Sequence, residues 1–328
     1  MLARRRTLVA TALVAVVLGI TCVLSLALGS KAIGLSDLVE AIHSGGDLHV
    51  REVLAARVPR TLCGLVAGAA LASSGAAIQT VTRNPLGDPG VLGLTSGAAA
   101  GIVTVTSIPG LAGLQLVGGA FAGAAVATVA VMVLGSFGRG TDATRLVLSG
   151  AVTTAVAVAY SQAVSLRHKA AFDALRYWSA GSLAVGDFLD WWPVVVIAVA
   201  GAGLFALGRG LDAVALGDEV AAGLGHHPAR VRALTLTAVA LMTAAATAIT
   251  GPIVFVGLAA PHLARRLARG SARALIGLCC LIGPVLMLLA DVIGRLVLRP
   301  AEVPVGVVTA LLGAPLLLAV VRRSRGVL

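Results

Sequence analysis

Ten long apolar runs, separated by charged residues, prolines and glycine clusters, make up most of this chain. A helix needs about 20 mainly apolar residues to cross the hydrocarbon core of a bilayer. With 58% hydrophobic and 12% charged residues the chain is far from the roughly 25% charged residues of soluble domains, which argues against a soluble enzyme. The predicted fold class is therefore an all-α polytopic membrane protein with about ten transmembrane helices, in one domain over residues 1–328. The runs lie near residues 7–28, 61–81, 91–108, 114–136, 143–165, 191–208, 231–250, 253–268, 274–298 and 305–321.

Two of these runs have more than one interpretation. The first follows Arg4-Arg5-Arg6 and could be a signal peptide, but its apolar stretch from Thr7 to Gly29 exceeds the usual core of about 7–15 residues. We therefore expect it to be retained as the first helix. The eighth run is short, so it is either a full span or a half-helix.

The distribution of charge predicts the orientation in the membrane. The chain carries 25 Lys and Arg against 14 Asp and Glu, a formal net charge of +11. When the loops are assigned to alternate sides of ten crossings, one side holds 16 basic and 5 acidic residues, and the rest of the chain holds 9 of each. Because Lys and Arg accumulate in cytoplasmic loops, that side is predicted to be cytoplasmic, together with both termini.

Several kinds of chemistry find no support in the sequence. The two lysines, Lys31 and Lys169, do not follow glycine, so a Walker A loop for ATP is absent. Hydrolase and metal motifs are also missing, and we expect no catalytic residue, no metal ligand and no cofactor bound by this chain. Asp291 and Arg295 are one helical turn apart. They form either a self-neutralising pair or a proton relay, and the relay would make the chain an ion-coupled secondary transporter.

Four sequence segments resemble a known transporter family. They read GLVAGAALASSGAAIQTVTRNPLGDPGVLGLTSGA from Gly64 to Ala98, LDAVALGDEVAAGLG at 211–225, GPIVFVGLAAPHLARRL at 251–267 and LLADVIGRLVLRPAEVPVGVVTALLGAP at 288–315. In this order, on a background of ten apolar runs, they resemble the FecCD-type permeases of ABC importers, which carry iron-siderophores, haem or vitamin B12. The resemblance extends from about residue 50 to the C-terminus.

The resemblance implies a type II ABC importer permease in the bacterial cytoplasmic membrane. Such a permease pairs with a second permease subunit, identical or paralogous, and with two cytoplasmic ATPase subunits that bind ATP and Mg²⁺. An extracytoplasmic binding protein delivers the substrate. The expected substrate is an iron-siderophore complex, with haem or cobalamin as alternatives.

The segment 211–232 is the longest predicted internal cytoplasmic connection. Its alternation of apolar residues and glycines favours one or two short amphipathic helices with glycine joints. The resemblance implies that this segment docks on the ATPase, and interfacial packing alone is the alternative. The residues expected to couple are Leu216, Gly217, Asp218, Glu219, Ala222, Leu224 and Gly225.

Three arginines are predicted near the outer ends of helices. Arg57 and Arg60 flank Pro59 at the mouth of the second run, and Arg295 lies near the end of the ninth. The resemblance implies that they pair with acidic residues of the binding protein, a role that suits the rigid donor fork of arginine. Ordinary snorkelling to the membrane interface is the alternative.

Polar residues and small residues mark two further helix faces. The resemblance places the fifth run along the translocation pathway, where Thr153, Thr154, Tyr160, Ser161 and Gln162 would contact the passing substrate; interhelical hydrogen bonding is the alternative. Glycines at helical spacing in the third and fourth runs predict close helix packing, within the chain or between two copies. They are Gly93, Gly97, Gly101, Gly119 and Gly123.

Overall fold

The computed structural model describes residues 2–29, 33–44, 47–108, 116–136, 143–184, 191–268 and 270–325. The described residues are almost entirely helical and contain no strand. Arg139, Asp142 and Arg269, which contribute to the cytoplasmic charge count, lie outside them. The helices are α1 (Leu2–Ala27), α2 (Leu35–Ser44), α3 (Leu48–Thr82), α4 (Leu94–Ser107), α5 (Leu116–Ser136), α6 (Ala143–Arg167), α7 (Lys169–Ser179), α8 (Trp192–Ala206), α9 (Gly208–Leu216), α10 (Asp218–Gly223), α11 (Pro228–Thr250), α12 (Val256–Ala268), α13 (Ala272–Val297) and α14 (Val305–Arg325).

A helix lies at each of the ten predicted runs. They are α1, α3, α4, α5, α6, α8, α11, α12, α13 and α14. By length and composition alone, five of the described helices could cross a membrane unaided, and a sixth span results if α8 and α9, bent by 51°, are taken together. The short eighth run is the 13-residue helix α12. The all-α polytopic fold class is therefore correct, while several of its helices are shorter than a full bilayer crossing.

Helix α3 begins earlier than the apolar run indicated. It starts at Leu48 and has 35 residues, with Pro59 inside it. The apolar run predicts a helix start near residue 61, because proline usually interrupts a helix. Pro59 instead lies within a continuous helix, so Arg57 and Arg60 are helical residues on α3 rather than residues at its mouth.

Helices α3 and α13 pack against each other at very close range. A Cβ added to Gly68 would lie 2.7 Å from the Cα of Pro284 and 2.8 Å from the carbonyl carbon of Gly283. No side chain other than hydrogen fits there. Close backbone approach of this kind is the usual reason for small residues on membrane helices.

The glycine rows of the third and fourth runs pack within the chain. A Cβ on Gly123 would lie 2.8 Å from the Cα and N of Gly101, and a Cβ on Gly97 would lie 2.6 Å from the carbonyl oxygen of Gly123. Gly101 and Gly119 are in similarly tight contact. Packing between helices of one chain is therefore confirmed for these glycines, and packing between two copies stays a prediction.

Residues 251–255 interrupt the helical structure between α11 and α12. Gly251 has a φ of 73° and Phe255 a φ of 71°. Polar groups bind the helix ends on either side of the interruption: Ser182 N donates to Thr250 O at 2.8 Å, and Gln79 Nε2 donates to Gly257 O at 3.2 Å. Non-helical backbone at membrane depth is tolerated only where it is buried in protein or lines a cavity. Pro261, ten residues after Gly251, does not interrupt the helical structure and lies inside α12.

Candidate functional site

A charged cavity of about 380 Å³ lies where the end of α1 meets α3 and α13. Its wall includes three arginines, from α3 and α13, and acidic residues from α3 and from the connection between α13 and α14. Charges of both signs therefore meet at one place in a chain that is otherwise mostly apolar. The titratable residues of the wall are His49, Glu52, Arg57, Arg60, Arg295 and Glu302.

Two of these arginines bind the C-terminal end of α1. Arg57 Nη1 donates to the carbonyl oxygens of Leu26 and Ala27 at 2.7 and 3.0 Å. Arg295 Nη1 donates to those of Ser25 and Leu28 at 3.0 and 2.9 Å. The last carbonyls of a helix lack partners within the helix, and a cation there also interacts favourably with the helix dipole. Arg57 and Arg295 thus fasten α1 to α3 and α13.

The third arginine, Arg60, is held by two carboxylates. Its Nε and Nη2 donate to Asp291 Oδ1 at 2.9 and 2.7 Å, and its Nη1 donates to Glu302 Oε2 at 2.6 Å. Asp291 Oδ2 also lies 3.0 Å from Arg295 Nη2. Asp291, with a side chain only 1% exposed, therefore bridges two arginines. The ion pair between Asp291 and Arg295, one of the two predicted interpretations, is present.

These contacts limit how many donors the three predicted docking arginines have available for a partner protein. Arg57 is 7% exposed and Arg295 is 2% exposed, and both already donate to backbone carbonyls of α1. The side chain of Arg60 is 13% exposed and one of its partners, Glu302, is at the surface. A docking role for the three arginines stays a prediction, with Arg60 the best placed of them.

At the other ends of α3 and α13 lies a pair of short helices, α9 and α10. Glycines with positive φ follow each of them, Gly217 at 126° and Gly225 at 79°. Leu216 and Leu224 are 69% and 61% exposed. The prediction of short helices with glycine joints in this segment is confirmed. Its bounds differ, because α9 begins at Gly208 and α11 already begins at Pro228.

Three residues outside α9 and α10 attach these short helices to the long ones: Arg83, Arg232 and Ala272. Arg232 on α11 binds the carboxylate of Asp218 at 2.6 and 2.8 Å, and Arg83 after α3 reaches the same carboxylate at 3.2 Å. Arg83 also donates to Val214 O at 2.8 Å. The hydrogen bonds from Arg232 hold the pKa of Asp218 below its ordinary value. On α9, Asp212 Oδ1 accepts a hydrogen bond at 2.6 Å from the N–H of Ala272, the first residue of α13.

The remaining residues of the predicted coupling set lie at the surface of this segment. Glu219, Ala222 and Gly225 are exposed, as are Leu216 and Leu224. Ala221, between them in sequence, is buried against the rest of the protein. The segment thus presents a surface with exposed apolar and acidic groups, and its role in coupling stays a prediction.

The five predicted pathway residues on α6 do not share one face. Thr153 and Tyr160 line a crevice of about 600 Å³ between α4, α5 and α6. The Tyr160 hydroxyl and Thr104 Oγ1 are 2.9 Å apart, and this is an interhelical hydrogen bond of the kind offered as the alternative. Ser161 is buried and donates to Ala157 O within α6, while Gln162 is exposed. Thr154 lies near Gly93. Their pathway role stays a prediction.

The FecCD transport family model matches residues 17–323 of this chain. This chain belongs to the FecCD transport family. It is therefore a multi-pass permease subunit of an ABC importer rather than an enzyme in its own right. The sequence-based identification of the family is confirmed.

Relatives of this FecCD permease carry different substrates. The ferric enterobactin transport system permease protein FepD of Escherichia coli K12 is 40% identical over 311 residues, covering 93% of this chain and 92% of the relative. The vitamin B12 import system permease protein BtuC of Citrobacter koseri is 34% identical, covering 92% and 91%. A solved structure, described as an inward-facing metal-chelate type ABC transporter, has a TM-score of 0.83 and 28% identity and covers 96% of this chain and 99% of that one.

Sequence reasoning missed several residues of this FecCD permease that the structure brings together. Glu302 received no role, and Asp212, Arg83 and Arg232 were counted only as charges that set the orientation. Their partners are 242, 60, 135 and 14 positions away. Within the described residues, no group of three or more His, Cys, Asp or Glu could hold a metal ion.

Proposed function

We propose that this chain is the membrane-spanning subunit of an importer for a ferric siderophore. One observation carries the proposal. Near one end, α3 and α13 contribute Arg60 and Arg295 to the outer cavity. At the other end, Arg83 after α3 and Ala272 of α13 form hydrogen bonds to the α9–α10 segment. Two long helices in close contact therefore connect a charged pocket to a surface that suits a docking partner. That arrangement fits a permease that contacts a binding protein on one side of the membrane and ATPase subunits on the other.

The proposed partners follow from this arrangement. Two cytoplasmic ATPase subunits, which bind ATP and Mg²⁺, would dock on Leu216, Leu224 and the exposed residues between them. An extracytoplasmic binding protein would offer carboxylates to the arginines of the outer cavity. A second permease subunit, identical or paralogous, would complete the pathway, with both termini of this chain in the cytoplasm.

The mechanism that we propose is alternating access driven by the ATPases. Closure of the ATPase pair would push on α9 and α10, and the bonds of Asp218 and Asp212 would pass that displacement to α3, α11 and α13. Ordered helix packing moves in discrete steps rather than by continuous deformation. The glycine contact between α3 and α13 makes these two helices move together.

The preference for a siderophore rests on similarity, and vitamin B12 is the second candidate. Identity is 40% with the ferric enterobactin permease and 34% with the vitamin B12 permease. Polar groups on α6, such as Thr153 and the Tyr160 hydroxyl, suit brief contact with a large polar chelate. Weak contact is what a pathway requires, because tight binding would slow release.

Uptake by the reconstituted complex tests the proposal. Proteoliposomes holding the permease, its ATPase and its binding protein would be given labelled ferric siderophore, haem or cobalamin, with and without ATP. We expect ATP-dependent accumulation of the siderophore. Uptake that persists without the ATPase and stops when ionophores collapse the ion gradients would instead identify a secondary transporter.

A further inference from the structure

Arg60 has two carboxylate partners that differ in how firmly they are held. Asp291 has a side chain 1% exposed, lies on helix α13 and is also bound by Arg295. Glu302 has a side chain 36% exposed and lies on the non-helical connection between α13 and α14. Among the described residues its only ion pair is the one with Arg60.

The two bonds therefore differ in what their loss would cost. Removing Asp291 would leave buried arginines without a counter-charge, which is strongly unfavourable. Removing Glu302 breaks an ion pair at the protein surface, and such pairs contribute little because water and salt screen them. Of the groups around Arg60, Glu302 is the one that another carboxylate could replace at small cost.

We infer that Glu302 is an intramolecular competitor for the docking partner. In the structure Glu302 accepts a hydrogen bond from Nη1 of Arg60, the nitrogen that Asp291 leaves for a carboxylate of the binding protein under the proposed function. A docking carboxylate displaces Glu302, and Arg60 keeps its bonds to Asp291 throughout. The inference rests on the proposed docking at the outer cavity and adds one residue to it, Glu302.

Because Glu302 must be displaced, docking includes the free-energy cost of breaking its ion pair with Arg60. With Glu302 in place, three arginines (Arg57, Arg60 and Arg295) lie beside three carboxylates (Glu52, Asp291 and Glu302), so the cluster carries balanced charges and attracts an acidic partner weakly. A partner must supply its own carboxylate at the right position to open the pair. Neutral or basic proteins gain nothing from the exchange, so Glu302 favours partners with a matching acidic side chain.

The test compares two charge-neutralising variants in the same cavity. Glu302→Gln removes the competing charge, and Glu52→Gln removes one charge from the same wall without breaking an ion pair among the described residues. The full permease–ATPase complex in nanodiscs would be titrated with its binding protein at low and at high salt. We expect Glu302→Gln to tighten binding about two- to fivefold, the range of an exposed ion pair. The Glu52→Gln variant should change binding less, and only at low salt.

A third variant separates this inference from the proposed docking site. Arg60→Lys keeps the charge but loses the donor fork, and should weaken binding. If Glu302→Gln binds like the wild type or like Glu52→Gln while Arg60→Lys binds weakly, Glu302 is not a competitor and the docking site stands. If Arg60→Lys also binds like the wild type, the docking site itself is wrong. Size-exclusion profiles identical to the wild type establish that each variant is folded.

Discussion

Arg60 and Asp291 are 231 positions apart in the sequence and form a two-donor salt bridge, with Nε and Nη2 of the arginine 2.9 and 2.7 Å from Oδ1 of the aspartate. The bridge joins α3 to α13 just inside the cavity that also contains Glu302 and Arg295. Because Arg295 binds the other oxygen of Asp291, one buried carboxylate holds two arginines in place. The same charges thus stabilise the helix pair and shape its outer surface.

Asp291→Asn should destabilise the protein strongly. The substitution leaves Arg60 and Arg295 without their buried counter-charge, which costs about 3–5 kcal/mol in comparable cases. The measurement is thermal unfolding in detergent, where a large drop in Tm is expected. Glu302→Gln is the matched comparison, since it removes a surface partner of the same arginine and should cost under about 1 kcal/mol. Equal effects of the two variants would contradict the central role given to Asp291.

Gly123→Ala should separate α4 from α5. The added methyl would lie 2.8 Å from the backbone of Gly101, so the helices must move apart at a cost of about 1–3 kcal/mol. Gly118→Ala on the same helix is the control, because a Cβ there meets no atom within 4 Å. Alanine favours a helix over glycine by about 1 kcal/mol, so the control should be neutral or stabilising. Unfolding in detergent compares them, and a stable Gly123→Ala protein would show that the helices are not in contact there.

The attachment of α10 should depend on pH through Asp218. Its pKa is lowered by Arg232, so the carboxylate form stabilises the attached segment. This contribution is present above the ordinary carboxyl pKa and is lost as the pH falls through the lowered one. Hydrogen exchange of α10 amides, corrected for the intrinsic rate, should therefore increase at acidic pH. In Asp218→Asn the exchange should be fast at every pH; protection that survives in this variant would mean that the ion pairs do not hold α10.

Glu219→Arg should uncouple the permease from its ATPase without affecting membrane insertion. Glu219 is exposed on α10, beside the apolar residues of the proposed docking surface. Reversing its charge changes that surface and leaves the buried face at Ala221 intact. ATP-driven uptake and binding-protein-stimulated ATPase activity should both fall several-fold. Ala229→Arg, which adds a charge to an exposed position at the start of α11, should retain most of the activity. Full activity of Glu219→Arg would remove this residue from the coupling set.

The positions of the helices were largely predictable from the sequence, and their ends were not. Ten apolar runs correspond to ten helices, because an apolar segment within the bilayer must satisfy its backbone hydrogen bonds internally and so becomes helical. Helix α3 was misplaced by 13 residues at its start, since Pro59 is accommodated within a helix that continues on both sides. Helices α2 and α7 were missed, because short amphipathic helices lack a bilayer-length apolar run.

The candidate sites were predictable as residue types but not as contacts. The three outer arginines were named from their positions near helix ends, and the structure assigns two of them to the carbonyls of α1. Nothing in the local sequence indicates that Arg57 and Arg295 meet at Ser25 to Leu28, because those contacts span 30 to 270 positions. The joints at Gly217 and Gly225, by contrast, were visible in the sequence because positive φ favours glycine.

The sequence by itself determined the membrane-spanning character and the family, and it predicts the side on which the basic loops lie. These depend on local composition, since each apolar run and each charged loop responds to the bilayer almost independently. Only the tertiary structure decided which charges pair. A buried carboxylate needs counter-charges within a few ångströms, and the distance between Asp291 and Arg60 depends on how α3 and α13 pack, which the order of residues along either helix does not specify.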